Sequence, residues 1–221
     1  MPTRREKPGD PPSEVKAIRK AIRKFLDSED PKGRKIGGAK FGVYAFYDYD
    51  KEPIYVGQTN ESLRQRIGRH LTNQRTDAVA MSVLDPFEVA EIEVWPLWEL
   101  QEVGSRNTPA KLKLDQLEYT VYEKVLKESS FRAVLNEKPP SADGLIKLPD
   151  SYRELIIPAE LYQMRKHPDV RIARRATTIA SLARVISERA VSVGLRRTLL
   201  TQAKRLERLA DERLRDFKSA P

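Results

Sequence analysis

Apolar residues recur at intervals of three and four along several parts of the chain, and this spacing predicts amphipathic helices. The first helix is expected to follow Ser13 as its N-cap, and two others are expected over residues 61–73 and 112–127. Each stripe marks the side of its helix that we expect to be buried. The three stripes are, in chain order, Val15, Ile18, Ile22, Phe25 and Leu26; Leu63, Ile67 and Leu71; and Leu114, Leu117, Val121 and Val125.

Aromatic and β-branched residues indicate strands between the first two helices. Residues 41–47 and 54–56 are rich in both kinds, and the polar stretch 48–53 between them has the composition of a turn. Residues 89–97 alternate imperfectly between apolar and acidic side chains and predict a third strand, and residues 76–84 predict a short helix. The sequence therefore predicts an α+β fold with a small, mostly antiparallel three-stranded sheet flanked by helices.

The last third of the chain is predicted to be a helical extension. Residues 137–144 form a turn-rich break, followed by a short helix at 158–166. Two longer helices are expected at 178–193 and 195–217, separated by Gly194, and they could form a hairpin. This arrangement indicates either a helix-turn-helix that reads DNA or a surface for packing and dimerisation.

These boundaries divide the chain into three expected parts. Residues 1–37 form an N-terminal basic arm and helix, residues 38–140 form the core, and residues 141–221 form a basic helical region.

The net charge of +9 lies mostly near the end of the 221-residue chain. Residues 160–221 contain 15 lysines and arginines against 7 aspartates and glutamates. This asymmetry favours an anionic polymer as partner, although basic helices also bind anionic membranes or remain solvated. No apolar run approaches the roughly 18 residues of a membrane span, so we expect no membrane partner and residence in the cytoplasm. The absence of cysteine excludes disulfides and zinc fingers.

Three polar residues lie beside the apolar stripes. Arg66 and His70 flank the stripe of the 61–73 helix one turn apart, where a solvated surface or a structural hydrogen bond would explain them as well as catalysis. Glu118 lies close to the apolar face of the 112–127 helix, whereas Glu123 points away from it. Because a buried carboxylate is costly unless it is paired or binds a cation, Glu118 is either an ion-pair partner or a metal ligand.

Several short motifs together resemble the GIY-YIG nuclease family. Gly42-Val43-Tyr44 and Tyr55-Val56-Gly57 resemble its two signatures, with valine in place of isoleucine in each, and residues 63–70 resemble its arginine-bearing helix. Leu117-Glu118 is similar to the start of its metal-binding helix, and Asn136 to the asparagine that closes the domain. All these elements occur in the order of the family.

The resemblance implies a metal-dependent phosphodiester hydrolase. Glu118 would hold Mg²⁺ (or Mn²⁺), with Glu123 as the alternative ligand, and Arg66 would clamp the phosphate oxygens. Tyr44 would take the proton of the attacking water, and His70 would receive that proton. Tyr55 would orient water or phosphate. The expected catalytic residues are Tyr44, Tyr55, Arg66, His70, Glu118 and Asn136.

The resemblance also implies DNA, expected to be double-stranded, as the substrate. Arginines of the 61–73 helix and of the C-terminal region are expected to bind it, namely Arg64, Arg69, Arg171, Arg174, Arg175, Arg196 and Arg197. We expect an endonuclease of the restriction or host-defence type, with a repair-type incision nuclease or a catalytically silent nucleic-acid-binding protein as alternatives. The leucine-rich 195–217 helix also fits a homodimer or an adaptor that pairs with a partner.

Overall fold

The structure is a computed structural model that describes residues 11–71, 85–136, 138–141 and 144–219. The predicted helix at 76–84 and most of the predicted N-terminal arm lie outside the described residues. None of the described helices is both long and apolar enough to span a membrane.

Four antiparallel strands form one sheet in the order β2-β1-β3-β4. The strands are β1 (Gly42–Tyr47), β2 (Pro53–Thr59), β3 (Glu91–Pro96) and β4 (Tyr152–Leu155). The first three were predicted, and the α+β fold class is confirmed. The fourth strand was missed because it is a four-residue edge strand with three exposed side chains and no apolar alternation.

Six described helices surround the sheet. They are α1 (Ser13–Asp27), α2 (Leu63–Leu71), α3 (Thr108–Glu128), α4 (Ala159–Lys166), α5 (Pro168–Glu188) and α6 (Val193–Ser219). Short 3-10 turns cover Ile36–Gly38 and Trp98–Leu100.

The helix starts differ from the predicted ones where other capping residues act. Pro12 occupies the N-cap position of α1, so the prediction of Ser13 was wrong. Helix α3 begins four residues early because the side chain of Asn107 accepts a hydrogen bond from the Ala110 amide at 2.9 Å. Helix α5 begins ten residues early, directly after His167. The Nδ1 atom of His167 accepts a hydrogen bond from the backbone amide of Asp169. The break between α5 and α6 falls at residues 189–192 rather than at the predicted glycine.

Alternating residues of β1 serve two hydrophobic cores. Tyr44 and Phe46 face the larger core, which receives side chains of α1, α2, α5 and α6. Val43, Ala45 and Tyr47 face the second core, which packs under α3. The sheet thus lies between α3 and the other helices, and the C-terminal helices complete the larger core.

Three buried arginines of α5 and α6 bind the acidic turn between β1 and β2. Arg171 donates two hydrogen bonds to Asp50, at 2.8 and 2.6 Å, and Arg175 donates one to Asp48 at 2.6 Å. Arg205, the third arginine, donates hydrogen bonds to two backbone carbonyl groups. We refer to this group as the arginine cluster; it comprises Arg171, Arg175 and Arg205 with Asp48, Asp50, Glu52 and Glu88.

Candidate active site

The β1–β2 hairpin places the two signature tyrosines side by side. Tyr44 pairs with Gly57 across the strands, and Phe46 pairs with Tyr55, so the two phenols are diagonal neighbours on one face. Their ring centroids lie 6.1 Å apart. A Cβ atom at Gly57 would lie 2.7 Å from the Tyr44 hydroxyl and 2.6 Å from the Tyr55 ring. The glycine of the second signature is therefore required by the packing of both tyrosines.

His70 of α2 completes this aromatic group. The Tyr44 hydroxyl lies 3.3 Å from each ring nitrogen of His70, and the two rings meet edge to face. The Tyr55 and His70 ring centroids are 5.1 Å apart. Tyr44 and His70 are both buried, whereas Tyr55 is partly exposed.

Arg66 lies one helical turn before His70 and extends toward both phenols. Burial opposes the charge of Arg66, but interactions first with Tyr44 and then with Tyr55 outweigh it and raise the pKa of the guanidinium. Its Nε is buried and has no acceptor among the described residues.

Glu118 of α3 faces the same region from the other side. Burial raises the pKa of Glu118 to about 7, and the nearby Asp115 carboxylate adds to the rise, while Arg66 and Gln58 oppose it. The Glu118 side chain is therefore partly buried beside the apolar stripe. The sequence analysis left open whether Glu118 is an ion-pair partner or a metal ligand. The attraction of Arg66 alone does not offset the effect of burial on the Glu118 pKa.

Two residues of the site were missed in the sequence. Gln58 directly follows the second signature, and its Nε2 donates a hydrogen bond to Asp115 Oδ1 at 2.7 Å. Asp115 lies one helical turn before Glu118, a spacing that puts both carboxylates on one face and that could have identified it. The Oε1 atom of Gln58 is buried and has no donor among the described residues.

These groups border an open cleft of about 250 Å³ at the end of β2. Its lining is Gln58, Thr59, Asn60, Glu61, Arg66, Lys111, Leu114 and Asp115. The lining combines the cationic side chains of Arg66 and Lys111 with the carboxylates of Glu61 and Asp115. A ligand that combines a phosphate with a cation suits both kinds of charge.

The donor set fits a hard divalent cation. The Asp115 carboxylate raises the pKa of Glu118, and the Gln58 amide oxygen beside them has no donor among the described residues, so Mg²⁺ or Mn²⁺ would stabilise this group. Within the described part of the chain, no three His, Cys, Asp or Glu side chains come together as a metal site. A cation here would therefore keep several of its waters.

Asn136 lies away from the phenols and binds the backbone of β2. Its side-chain oxygen accepts the Val56 amide at 2.9 Å, and its side-chain nitrogen donates to the Val56 carbonyl at 2.8 Å. The Leu135 amide also donates to Ile54. This segment pairs with the free edge of β2 and holds the second signature in place.

Two of the arginines expected to bind DNA belong to the arginine cluster. Arg171 and Arg175 are only 2% and 4% exposed, and both bind carboxylates. Their guanidiniums connect α5 to the hairpin in this structure and present no surface to a polyanion.

The other five expected DNA-binding arginines reach the surface to different extents. Three form ion pairs, namely Arg64 with Asp27, Arg69 with Glu61 and Arg174 with Asp85. Arg196 and Arg197, at the start of α6, are exposed. Arg197 lies within electrostatic range of Tyr122, one turn after Glu118 on α3.

Comparison with protein families agrees with this geometry. Residues 40–128 match the model of the GIY-YIG catalytic domain. The chain carries a GIY-YIG catalytic domain over this range. Comparisons with curated proteins and with solved structures gave no match.

The GIY-YIG match includes five of the six expected catalytic residues. Tyr44, Tyr55, Arg66, His70 and Glu118 lie within it, whereas Asn136 lies beyond its last matched residue. A GIY-YIG catalytic domain is a nuclease domain, which implies a nucleic acid as substrate. The helices beyond residue 128 are specific features of this chain relative to the matched domain.

Proposed function

We propose that this GIY-YIG protein is a metal-dependent DNA endonuclease of the restriction or host-defence type. The observation that carries the proposal is the convergence of Tyr44, Tyr55, His70 and Arg66 beside a cleft whose lining includes Asp115, next to Glu118. A catalytically silent binding protein would have no need of Glu118 in a partly buried position, since burial of a carboxylate costs stability.

The proposed reaction attacks a DNA phosphodiester with water and breaks the bond between phosphorus and the 3′ oxygen. Arg66 binds the non-bridging oxygens through its N–H groups, and its fixed position increases the preference for the more highly charged transition state. Tyr55, the more exposed phenol, orients the water or the phosphate by hydrogen bonding.

Proton transfer proceeds through the pair formed by Tyr44 and His70. Tyr44 takes a proton from the attacking water, and His70 receives the phenol proton across the 3.3 Å contact. Burial of both rings keeps the pair aligned.

Glu118, with Asp115 beside it, would hold Mg²⁺ or Mn²⁺, which neutralises charge on the phosphate and stabilises the leaving 3′ oxygen. Gln58 fixes the Asp115 carboxylate through its 2.7 Å hydrogen bond. The two acidic side chains are thereby held on one face of α3 before substrate arrives.

Plasmid digestion tests the proposal. Purified protein is incubated with supercoiled plasmids of several sequences, with Mg²⁺, Mn²⁺ or EDTA, and the ends are mapped. A restriction-type enzyme should produce discrete fragments at recurring sites, while cutting only at introduced lesions would identify repair-type incision instead. The Glu118→Gln variant should bind DNA without cutting it. Wild-type protein that binds DNA yet leaves every plasmid intact would overturn the enzymatic proposal.

A further inference from the structure

A second cleft lies where β3 ends and β4 begins. Its volume is about 390 Å³, which is within the range of sites for small organic ligands. Neither the catalytic residues nor the arginine cluster contributes to it. Its lining is Lys32, Arg34, Pro96, Trp98, Glu99, Pro149, Asp150 and Tyr152.

The walls of this cleft include two partly exposed aromatic rings. Trp98 and Tyr152 both pack partly against the larger core and remain accessible in part. The guanidinium of Arg34 lies 4.2 Å from the centre of the Trp98 ring, and Asp30 accepts a 2.8 Å hydrogen bond from Arg34 Nε. The Arg34 contact therefore holds the indole in a fixed position, which lowers the entropic cost of stacking on it.

The charges of the lining do not favour a phosphate. Two basic side chains, Lys32 and Arg34, are matched by two acidic ones, Glu99 and Asp150. Arg34 is already paired with Asp30. A balanced lining with aromatic walls fits an uncharged planar group that also offers hydrogen-bonding edges.

This cleft and the catalytic cleft lie at the same edge of the sheet. Gly42, the first residue of β1, pairs with Thr59 at the end of β2 and with Pro96 at the end of β3. Because adjacent strands are about 4.8 Å apart, the ends of β2 and β3 are separated by roughly 10 Å. A single polynucleotide strand can span that distance within a few nucleotides.

The loop after β3 connects the two clefts. It begins with Trp98 in the second cleft, and its Ser105 carbonyl accepts a hydrogen bond from Asn60 of the catalytic cleft at 3.2 Å. Between these points, the Nζ of Lys40 donates a hydrogen bond to the Val103 carbonyl. This loop therefore extends from the catalytic cleft to the second cleft.

We propose that Trp98 and Tyr152 form a stacking subsite for an unpaired nucleobase of the bound nucleic acid, a few nucleotides from the phosphate in the catalytic cleft. The inference rests on the proposed function, since the base belongs to the strand being cut. Stacking on aromatic rings is tolerant of sequence and strengthens binding at each base that it engages.

Tryptophan fluorescence provides a direct test, because the chain has only two tryptophans and Trp95 is 1% exposed. Glu118→Gln protein in EDTA, which does not cut, is titrated with single-stranded oligothymidylate and with an abasic strand of equal length. We expect the oligothymidylate to quench the emission and to bind roughly 10-fold more tightly than the abasic strand. Trp98→Phe should lose the quenching, and Trp98→Ala and Tyr152→Ala should each lose much of the preference for bases.

Phe217→Ala is the matched control, because Phe217 is an exposed aromatic residue of α6 outside the cleft. It should bind both strands as the parent protein does. Equal affinity for the two strands, or an unchanged preference in Trp98→Ala, would overturn the subsite. A duplex with one unpaired thymidine should quench more than a fully paired duplex, and equal quenching by both would also contradict an unpaired base.

Cleavage by wild-type protein separates the two proposals. If wild-type protein cuts DNA while Trp98→Ala retains the full preference for bases, only the subsite fails. If wild-type protein neither binds nor cuts any nucleic acid, the proposed function fails together with the subsite.

Discussion

Arg175 of α5 donates a hydrogen bond to Asp48 at 2.6 Å, and both side chains are almost completely buried. Asp48 directly follows β1, the strand that carries Tyr44. The C-terminal helices thus hold the hairpin of the candidate active site through a buried ion pair. An acidic turn that looks solvent-exposed in the sequence is an internal anchor in the structure.

Removing Arg175 should destabilise the protein strongly. Arg175→Ala leaves Asp48 buried with less positive charge around it, and breaking a buried pair in this way typically costs about 3–5 kcal/mol. Urea unfolding monitored by circular dichroism measures the loss. Arg174→Ala is the control, because the Arg174 guanidinium is 35% exposed and pairs with Asp85 near the surface. That variant should lose no more than about 1 kcal/mol; equal losses in both would contradict the role of the buried pair.

The stability of the protein should fall as the pH rises from about 4.5 to 7 through Glu88. Burial raises the pKa of Glu88 from 4.5 to about 7, against the opposing effect of Arg175 and Arg171. Between these values the folded state binds a proton that the unfolded state has lost, so raising the pH favours unfolding until the folded pKa is passed. With Glu88 protonated, three carboxylates of the arginine cluster face its three guanidiniums.

Glu88→Gln should remove this part of the pH dependence. Urea unfolding at pH 5, 6, 7 and 8 should show a flatter profile than wild type, by up to about 1.4 kcal/mol per pH unit below pH 7. Glu154→Gln, at an exposed position of β4, should keep the wild-type profile. Parallel profiles for Glu88→Gln and wild type would show that Glu88 titrates normally.

The periodic elements of the fold were predictable, and the long-range ones were not. Apolar spacing identified α1, α2 and α3 and the first three strands, because each buries its own apolar face. Strand β4 has no such face, and its place depends on pairing with β3 and on Arg153, which binds Glu91 at 2.6 Å. The sequence did not predict the arginine cluster either, because the carboxylates that pair with Arg171 and Arg175 lie more than 80 residues away in the chain.

Gly57→Ala should damage both packing and activity. The added methyl group would collide with the rings of Tyr44 and Tyr55 at 2.6 to 2.9 Å, so one phenol must move. A displacement of about 1 Å in a catalytic group can reduce turnover roughly 100-fold. Plasmid cleavage rates and thermal unfolding are the two measurements.

Gly68→Ala is the control for the glycine prediction. Gly68 lies in α2, and among the described residues no atom outside the backbone of this helix and the two chain neighbours lies within 4 Å of a Cβ placed there. Alanine favours a helix over glycine by about 0.5–1 kcal/mol, so this variant should be slightly more stable than wild type. Wild-type turnover in Gly57→Ala would show that the close approach of the phenols to Gly57 has no catalytic importance.

The order of the motifs predicts Tyr44 and Glu118 as reacting groups. It could not predict Gln58 and Asp115, which come together only when β2 meets α3. The role of Asn136 likewise became visible only through its two hydrogen bonds to Val56.

Asp115→Asn should weaken binding of the divalent cation. Removal of one of two neighbouring carboxylates lowers the attraction for Mn²⁺, and changes beside a metal ligand typically cost about 10- to 100-fold in affinity. Mn²⁺ binding followed by electron paramagnetic resonance measures this without any cleavage. Glu123→Gln, on the same helix but directed away from the stripe, should bind as wild type does. A larger loss in Glu123→Gln than in Glu118→Gln would move the metal site to Glu123.

Arg196 and Arg197 should carry part of the salt dependence of DNA binding. A truncation cannot test the basic C-terminal region, because Leu182, Val185 and Leu195 belong to the larger core. The double variant Arg196→Ala/Arg197→Ala removes two exposed charges and leaves that core intact. Each lost phosphate contact lowers the slope of log affinity against log salt by about 0.9, so a decrease of about 1.8 is expected in fluorescence anisotropy titrations.

A second pair of arginines on α6 tests whether this effect depends on position. Arg208 and Arg215 pair with Glu212 and Asp211 one turn away, so their charges are already neutralised. Arg208→Ala/Arg215→Ala should therefore change the slope much less than the first double variant. Equal decreases in the two variants would show that DNA responds to the overall charge of α6, and an unchanged slope in the first would remove Arg196 and Arg197 from the interface.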